Sequence, residues 1–325
     1  MGLLVGDVGG TSTRLARADV RDDGTVVLTD ERRYASASAA SLDALVARYF
    51  TETDARFERA CFAVAGPVRD RRCVTTNLPW LLDEAALAAS LDLASVTLVN
   101  DFAAAAWGTL AIAPSHAEVL QAGPTDPHGT RVVLGAGTGL GEALVVASPS
   151  GPVVVPGEGG HKGFAARDAR GDRLLAFLRA EVGGRVSVER VVSGLGLRDI
   201  YRFLRDVETM PESASVRARL ATSDPGEIIG AAALADEDAL CAAALDVFLD
   251  AYGAEAGDLA LQVLPAGGVW IAGGIAAKIL PRMKSGPFLS AFRDKGRMRS
   301  IVEGVALYVV TDPSLGLRGA ARAAG

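Results

Sequence analysis

Two glycine-rich segments of the chain have the composition of phosphate-binding loops. The first, Gly6 to Thr11, follows an apolar run that is typical of a strand, and the second, Gly135 to Gly141, follows another such run. Glycine lets the backbone bend tightly enough to aim several N–H groups at one anion. Either segment alone could be an ordinary glycine hairpin. The presence of two matching segments favours a phosphate clamp built from a strand, a turn and a second strand.

The residues present exclude two other nucleotide-binding motifs. The dinucleotide fingerprint G-x-G-x-x-G fails when it is started at Gly135, and it requires a helix where the apolar residues 143–146 predict a strand. A P-loop requires Gly-Lys, and no lysine of the chain follows a glycine. The carboxylate of Asp7, inside the first segment, could be an outer ligand of Mg²⁺ beside the phosphates, or a turn-forming residue.

Asn100 and Asp101 stand where an apolar strand ends and an Ala-rich helix begins. An Asp at such a junction is often only a helix N-cap. The alternative is a general base, because a carboxylate at this place could accept the proton of a substrate hydroxyl during phosphoryl transfer. Asn100 would then hold a neighbouring hydroxyl.

An acid and an imidazole lie close together in a glycine-rich loop, Pro156 to His161, without apolar periodicity. Glu158 and His161 suit sugar hydroxyls, which offer both donors and acceptors. A metal site would need further ligands, and no cysteine is near. Glu189 is predicted at the start of a helix, where an acid is usually a partner of the helix dipole.

The order of the elements predicts an α/β protein of two domains. Strands are expected at 3–8, 13–18, 60–65, 95–99, 130–134, 143–146, 269–272 and 305–310. Helices are expected at 42–50, 102–114, 174–182, 188–204, 236–264, from 275, and at 318–324. The predicted domains are a small one, residues 1–111 plus 305–325, whose last strand and helix return to complete the first sheet, and a larger, helix-rich one, residues 112–304.

The composition limits which binding partners and which cellular location are expected for the protein. The net charge is −6, and the charged residues are interspersed along the chain, so no basic surface for nucleic acid is expected. Asp7 interrupts the first apolar run, and the longest uncharged stretches are too short to span a bilayer. The three cysteines are widely spaced, which excludes a disulfide framework. The expectation is a cytoplasmic protein that binds neither nucleic acid nor membrane.

Taken together and in this order, the motifs resemble those of the bacterial glucokinase family, within the hexokinase and actin-like ATPase superfamily. The resembling segments are Gly6 to Thr11, Thr76-Asn77 with Trp80, Val99 to Phe102, Gly135 to Gly141, Pro156 to His161, Glu189-Arg190 with Ser193-Gly194, and Ile271 to Ile275. Ser12 departs from the pattern, because the family often has Asn there. A sister family of repressors and kinases carries a Cys-rich zinc motif, which the three cysteines cannot make.

The resemblance implies two actin-like (ribonuclease-H-like) α/β domains that flank an active-site cleft. It implies that Asp101 is the catalytic base and that the sugar contacts come from Asn100, Asp101, Glu158, His161 and Glu189. It also implies that ATP is held by Asp7, Gly9, Gly10, Thr11, Gly137, Thr138, Gly139, Gly273 and Gly274, with Mg²⁺ bound to Asp7 through water, and that the chain forms a homodimer.

The activity that these residues predict is the ATP-dependent phosphorylation of glucose to glucose 6-phosphate. The alternatives are a kinase for a related hexose, a non-catalytic sugar sensor on the same fold, and a phosphatase or ATPase that uses the phosphate loops without a sugar. The segment Asp294 to Arg297 also resembles the family, but the sequence gives no physical account of its role.

Overall fold

A computed structural model describes residues 2–75 and 78–324. Thr76 and Asn77, which contribute to the family resemblance, lie outside the described residues. The chain forms two compact units. The first unit comprises Met1–Ala117, Val153–Pro156 and Asp312–Gly325, and the second comprises Glu118–Pro152 and Gly157–Thr311.

The described chain contains both strands and helices, and most of the helices lie in the second unit. The strands are β1 (Leu3–Val8), β2 (Ser12–Val20), β3 (Val26–Ala35), β4 (Arg59–Val64), β5 (Val68–Arg69), β6 (Arg72–Val74), β7 (Leu81–Asp83), β8 (Ser95–Asn100), β9 (Ala117–Gln121), β10 (Arg131–Ala136), β11 (Leu140–Val146), β12 (Val153–Gly157), β13 (Val269–Ile271) and β14 (Leu307–Val310). The helices are α1 (Leu42–Thr53), α2 (Glu84–Ser90), α3 (Asp101–Gly108), α4 (Ala169–Val182), α5 (Gly194–Asp206), α6 (Ala214–Leu220), α7 (Pro225–Leu234), α8 (Ala239–Val263), α9 (Gly274–Lys278), α10 (Leu280–Ser285), α11 (Phe288–Arg293), α12 (Arg299–Glu303) and α13 (Leu315–Ala323).

The sheet of the first unit has the strand order β3-β2-β1-β4-β8. Strands β1, β4 and β8 are parallel, and the register pairs Val8 with Val64 and Val64 with Asn100. The carboxyl ends of parallel strands lie at one edge of a sheet, where ligands bind in open α/β folds. The loop after β1 and the residues after β8 therefore share an edge of this sheet.

The second sheet has the order β12-β11-β10-β13-β14-β9. Strands β10 and β13 are parallel, with Leu134 opposite Ile271, and β11 returns antiparallel to β10. The loop after β10 and the glycines after β13 consequently lie at one edge of the second sheet. This is the same strand-turn-strand arrangement that β1 and β2 form in the first.

The end of the chain corrects one prediction. The strand expected at 305–310 exists, but it does not complete the first sheet, because β14 pairs in parallel with β13 of the second. Only the last helix, α13, belongs to the first unit. An apolar strand suits the interior of either sheet, so its sequence alone does not decide which one it joins.

The last helix packs against the helix that begins at Asp101. A Cβ on Gly319 of α13 would lie only 1.6 Å from the carbonyl oxygen of Ala104 in α3, so a side chain at that position would collide with α3. A Cβ on Gly108 of α3 would lie 2.5 Å from the carbonyl oxygen of Leu315, which is also too close for a side chain. Two glycines thus allow close contact between α3 and α13, and both Ala104 and Ala320 are fully buried.

Burial explains why the second unit is rich in helix. Helix α8 is 25 residues long and is buried over most of its length, including Phe248 and Tyr252. Its buried residues form one core with β10, β13 and α5. Among the described residues, no helix combines the length and the apolar character that crossing a membrane would require.

The region around Glu189 is folded differently from the prediction. A single helix was expected over 188–204, but the structure has a 3₁₀ turn, Val188–Arg190, and then α5 from Gly194. The hydroxyl of Ser193 accepts a hydrogen bond from Gly196 N at 3.0 Å and caps α5. This N-cap starts a new helix at Gly194, so the preceding residues, which include Glu189, are not part of α5.

Candidate active site

The first phosphate loop is fastened by backbone and hydroxyl groups. Gly9 N donates to the carbonyl oxygen of Ser12 at 3.1 Å, and Ser36 N donates to that of Thr11 at 3.0 Å. The hydroxyl of Ser36, which is fully buried, donates to the carbonyl oxygen of Gly9 at 2.6 Å. At the tip, Gly10 is half-buried and Thr11 is exposed. The loop therefore has a fixed base and an accessible tip.

Asp7 lies on β1 at the base of this loop, opposite Arg14 of β2. Burial raises the pKa of the Asp7 carboxyl, the positive charge of Arg14 opposes this, and Glu31 adds to it. Arg14 is itself paired with Glu31, at 2.6 Å. A bound cation would favour the charged form of Asp7. The chemistry of this carboxylate therefore fits the predicted role near Mg²⁺.

Asn100, and not Asp101, is the N-cap of α3. Its Oδ1 accepts from the amides of Phe102 and Ala103, at 3.0 and 3.1 Å. Its Nδ2 donates to Asp101 Oδ1 at 3.0 Å and to the carbonyl oxygen of Gly66 at 3.2 Å. The N-cap interpretation of Asp101 is thus wrong, because its neighbour has that role.

The Asp101 carboxylate is exposed at the first turn of α3. Its Oδ1 also accepts from Phe102 N at 2.8 Å. The two hydrogen bonds hold the carboxylate oxygen in a defined position at the start of α3. The structure places Asp101 at the same sheet edge as the first phosphate loop.

The second phosphate loop is held by two different contacts. Gly137 N donates to the carbonyl oxygen of Gly139 at 2.8 Å, and Gly194 N, at the start of α5, donates to the carbonyl oxygen of Gly137 at 2.9 Å. Thr138 is exposed at the tip. After the tip, Leu140 N donates to Glu189 Oε2 at 2.9 Å.

Glu158, His161 and Glu189 form one cluster in the second unit. His161 Nε2 lies 3.8 Å from Glu158 Oε2, and His161 Nδ1 lies 3.8 Å from Glu189 Oε1. The side chains of Glu158 and His161 are 72% and 57% exposed, so their polar atoms are available to a ligand. The structure thus brings together three predicted sugar-binding residues, and Glu189 also connects them to the second phosphate loop.

Gly273 and Gly274 are exposed after β13, where Gly273 is the N-cap of α9 and Gly274 is its first residue. Gly273 has φ of +86°, and a Cβ there would lie 2.8 Å from the carbonyl oxygen of Ala136, the last residue of β10. Glycine is therefore required for the backbone to pass beside the base of the second phosphate loop. This position agrees with the predicted place near the nucleotide.

The sequence did not indicate the ionic group that forms around Lys162, the residue after His161. Lys162 Nζ lies 3.3 Å from Glu142 Oε2 on β11 and 2.5 Å from Glu255 Oε1 on α8. Both carboxylates are buried, with 8% of each side chain exposed. We call Glu142, Lys162 and Glu255 the ionic triad. Its acids lie far from Lys162 in sequence, so only the adjacency of Lys162 to His161 could have pointed to it.

The segment Asp294 to Arg297 has a structural role in the second unit. Lys295 Nζ donates to the carbonyl oxygen of Ala254 at 2.9 Å and pairs with Asp258 at 2.7 Å, both on α8. Asp294 pairs with Arg167 at 2.5 Å. These contacts fasten the loop after α11 to α8 and to the segment that precedes α4.

Comparison with known proteins agrees with this geometry. A family model described as Glucokinase matches residues 4–325. A glucokinase of Nostoc punctiforme is 40% identical over 98% of this chain and 97% of its own length. The crystal structure of a glucokinase from an Antarctic psychrotroph has a TM-score of 0.85 at 31% identity, covering 99% of this chain and 98% of that one. The glucokinase of Balamuthia mandrillaris, solved with glucose, has a TM-score of 0.80 at 22% identity, covering 100% of this chain and 94% of that one.

The two α/β units, each with a glycine-rich turn between two antiparallel strands, have the two-domain actin-like fold of sugar kinases. Within that class, the chain belongs to the glucokinase family.

Proposed function

We propose that this chain transfers the γ-phosphoryl group of ATP to glucose and forms glucose 6-phosphate. The observation that carries the proposal is the Asp101 carboxylate. It is exposed, held in a defined position by two hydrogen bonds at the start of α3, and placed at the sheet edge of a phosphate loop. Membership of the glucokinase family supports the same reaction.

In the proposed reaction, Asp101 accepts the proton of the primary hydroxyl of the sugar as that oxygen attacks the γ-phosphorus. The base contributes by position, because phosphoryl transfer needs mainly alignment and charge stabilisation. Asn100 keeps Asp101 Oδ1 at 3.0 Å from its own amide and so limits the rotation of the carboxylate.

We assign the phosphates of ATP to Gly9, Gly10, Thr11, Gly137, Thr138 and Gly139, and the adenosine to the backbone at Gly273 and Gly274. The exposed loop tips offer N–H groups to the phosphates. Mg²⁺, when bound with ATP, neutralises charge on the transferred phosphate. Asp7 would hold it through water, because the described residues offer no cluster of three acidic, His or Cys side chains that could form an all-protein site.

We assign the hydroxyls of glucose to Asn100, Glu158, His161 and Glu189. The carboxylates accept from hydroxyls, and the imidazole can donate to one oxygen and accept from another. Removing a hydroxyl from the sugar would leave these polar groups without a partner, which is how such a site discriminates among hexoses. A cytoplasmic location and a homodimer complete the proposal.

The decisive experiment couples ADP release to a spectroscopic signal with Mg-ATP and a panel of hexoses. We expect release that depends on glucose and is lost in Asp101→Asn. A folded wild-type protein without sugar-dependent release would favour the non-catalytic sensor. ATP hydrolysis that is indifferent to hexose would favour an ATPase, and preference for another hexose would change the substrate but not the mechanism.

A further inference from the structure

Lys162 directly follows His161 and connects the two turns that carry His161 and Glu189. Its backbone N donates to the carbonyl oxygen of Gly159 at 2.9 Å and closes the first turn. Its carbonyl oxygen accepts from Val188 N at 2.9 Å, one residue before Glu189. The backbone of one residue therefore sets the position of one turn relative to the other.

The side chain of Lys162 anchors this junction to the interior. Its ammonium is shared between Glu142 of β11 and Glu255 of α8, both of which are buried. The two carboxylates are buried and have little water as an alternative partner. Their charge-assisted hydrogen bonds with the ammonium therefore hold it in a defined position. The anchoring elements belong to the core of the second unit, whereas the turns are at its surface.

Glu142 also supports the first turn directly. A Cβ on Gly159 would lie 1.8 Å from Glu142 Oε2, so the backbone of the turn lies directly against this carboxylate. The other carboxylate oxygen, Oε1, is buried and has no hydrogen-bond partner among the described residues. Glu142 Oε2 therefore faces both the Lys162 ammonium and the backbone of the first turn.

We propose that Lys162 is a positioning residue of the sugar site, which acts through His161 and Glu189 and is held in place by Glu142 and Glu255. The inference rests on the proposed function, because it assumes that His161 and Glu189 contact the sugar. Lys162 itself need not touch the sugar. Its loss should therefore weaken sugar binding while the chemistry of the phosphoryl transfer is retained.

The triad has one cation for two acids, which makes it sensitive to pH. The groups that face Glu142 are Lys162 on the loop, and Glu255 and Tyr252 on α8. Burial, followed by the charge of Glu255, raises the pKa of Glu142 to about 7, against the opposing effect of Lys162. As pH falls through this range, Glu142 loses its charge and Lys162 keeps only Glu255 as an ionic partner.

The first test compares Lys162→Met with Lys284→Met. Lys284 forms an exposed ion pair with Glu118 at 2.8 Å and provides a matched control for the loss of a lysine. We expect Lys162→Met to raise the KM for glucose between about 10- and 100-fold, with kcat and the KM for ATP changed less than about twofold. Lys162→Arg, which keeps the charge, should restore part of the affinity. Lys284→Met should match the wild type.

The second test uses Glu142→Gln, which keeps the shape of the side chain and is not expected to prevent folding. In the wild type, the KM for glucose should rise as pH falls from 8 to 6. In Glu142→Gln the part of this rise that is due to Glu142 should be absent. The KM for glucose of the variant at pH 8 should equal the value of the wild type at low pH. Since His161 is retained, any pH dependence left in this variant belongs to groups other than Glu142.

The possible results separate this inference from the proposed function. A wild-type protein without glucose-dependent ADP release refutes the proposed function and, with it, the basis of the inference. A wild-type protein that is active, together with a Lys162→Met variant of unchanged KM for glucose, refutes the inference alone. If Lys162→Met fails to fold, Glu142→Gln decides, and a glucose pH profile identical to that of the wild type refutes the positioning role.

Discussion

The two units hold their functional groups by different physical means. In the first unit, Asp101 and the loop at Gly9 are fixed by neutral hydrogen-bonding groups, the amide of Asn100 and the hydroxyl of Ser36. In the second unit, the surface cluster depends on charges, those of Glu189 and of the ionic triad around Lys162. We therefore expect the hydrogen bonds that hold Asp101 and the loop at Gly9 to depend less on pH than the contacts that hold the surface cluster of the second unit.

The largest effect should come from removing the base in the first unit. Asp101→Asn keeps a side chain that can hydrogen-bond to Asn100, but it cannot accept a proton. We expect kcat to fall between about 10²- and 10⁴-fold with little change in the affinity for glucose. Steady-state kinetics together with direct measurement of glucose binding test this, and a variant with wild-type kcat would remove Asp101 from the mechanism.

The second unit should show the opposite pattern. The Glu158 side chain is 72% exposed and its Oε2 lies 3.8 Å from His161 Nε2, so Glu158→Gln should not alter thermal stability. We expect a rise of about tenfold in the KM for glucose and a small change in kcat, since one charge-assisted hydrogen bond is weakened. An unchanged KM for glucose would show that the cluster does not bind the sugar.

The free energy of unfolding should show that it is unfavourable to keep the buried Glu142 of the ionic triad ionised. The folded pKa of Glu142, about 7, lies above its ordinary value of 4.5, so the folded state favours the protonated acid, and stability is lost as pH rises from 4.5 through 7. Glu142→Gln should therefore be more stable than the wild type at pH 8.5, by up to about 3 kcal/mol, and equal to it near pH 4.5. Denaturant titrations at the two pH values measure the difference. If Glu142→Gln and the wild type were equally stable at both pH values, burial of the ionised Glu142 would not destabilise the protein.

The smallest effect should come from the hydroxyl that fastens the first phosphate loop. Ser36→Ala removes the hydrogen bond to the carbonyl oxygen of Gly9 and should cost about 1 kcal/mol of stability, with a rise of a few fold in the KM for ATP. Ser38→Ala is the matched control, because Ser38 is exposed and its hydroxyl donates to the nearby carbonyl oxygen of Ala35. A rise in the KM for glucose instead would contradict the assignment of this loop to phosphate.

Local sequence patterns predicted the parts of the site that lie next to one another in the chain. Gly6 to Thr11 and Asn100-Asp101 each combine a strand, a turn and functional groups within a few residues. The position of Glu189 was harder to predict from the sequence. The 3₁₀ turn that carries it depends on the Ser193 cap, and its carboxylate accepts a hydrogen bond from Leu140 N, which is distant in sequence.

The ionic triad and the place of β14 could not be predicted for the same reason. Glu142, Lys162 and Glu255 each have the appearance of a surface charge, and only the tertiary structure brings β11, α8 and the loop at Lys162 together. The strand β14 is apolar enough for either sheet, and its pairing with β13 is decided by the tertiary structure. Long-range pairing leaves no local signal in either case.

The last described helix has a consequence for the order of folding. Helix α3, which begins with Asp101, packs on α13 through Gly108 and Gly319. The two helices lie far apart in the chain, so α3 gains this support only when a contact between distant segments forms. The final placement of Asp101 therefore depends on a late, long-range step of folding.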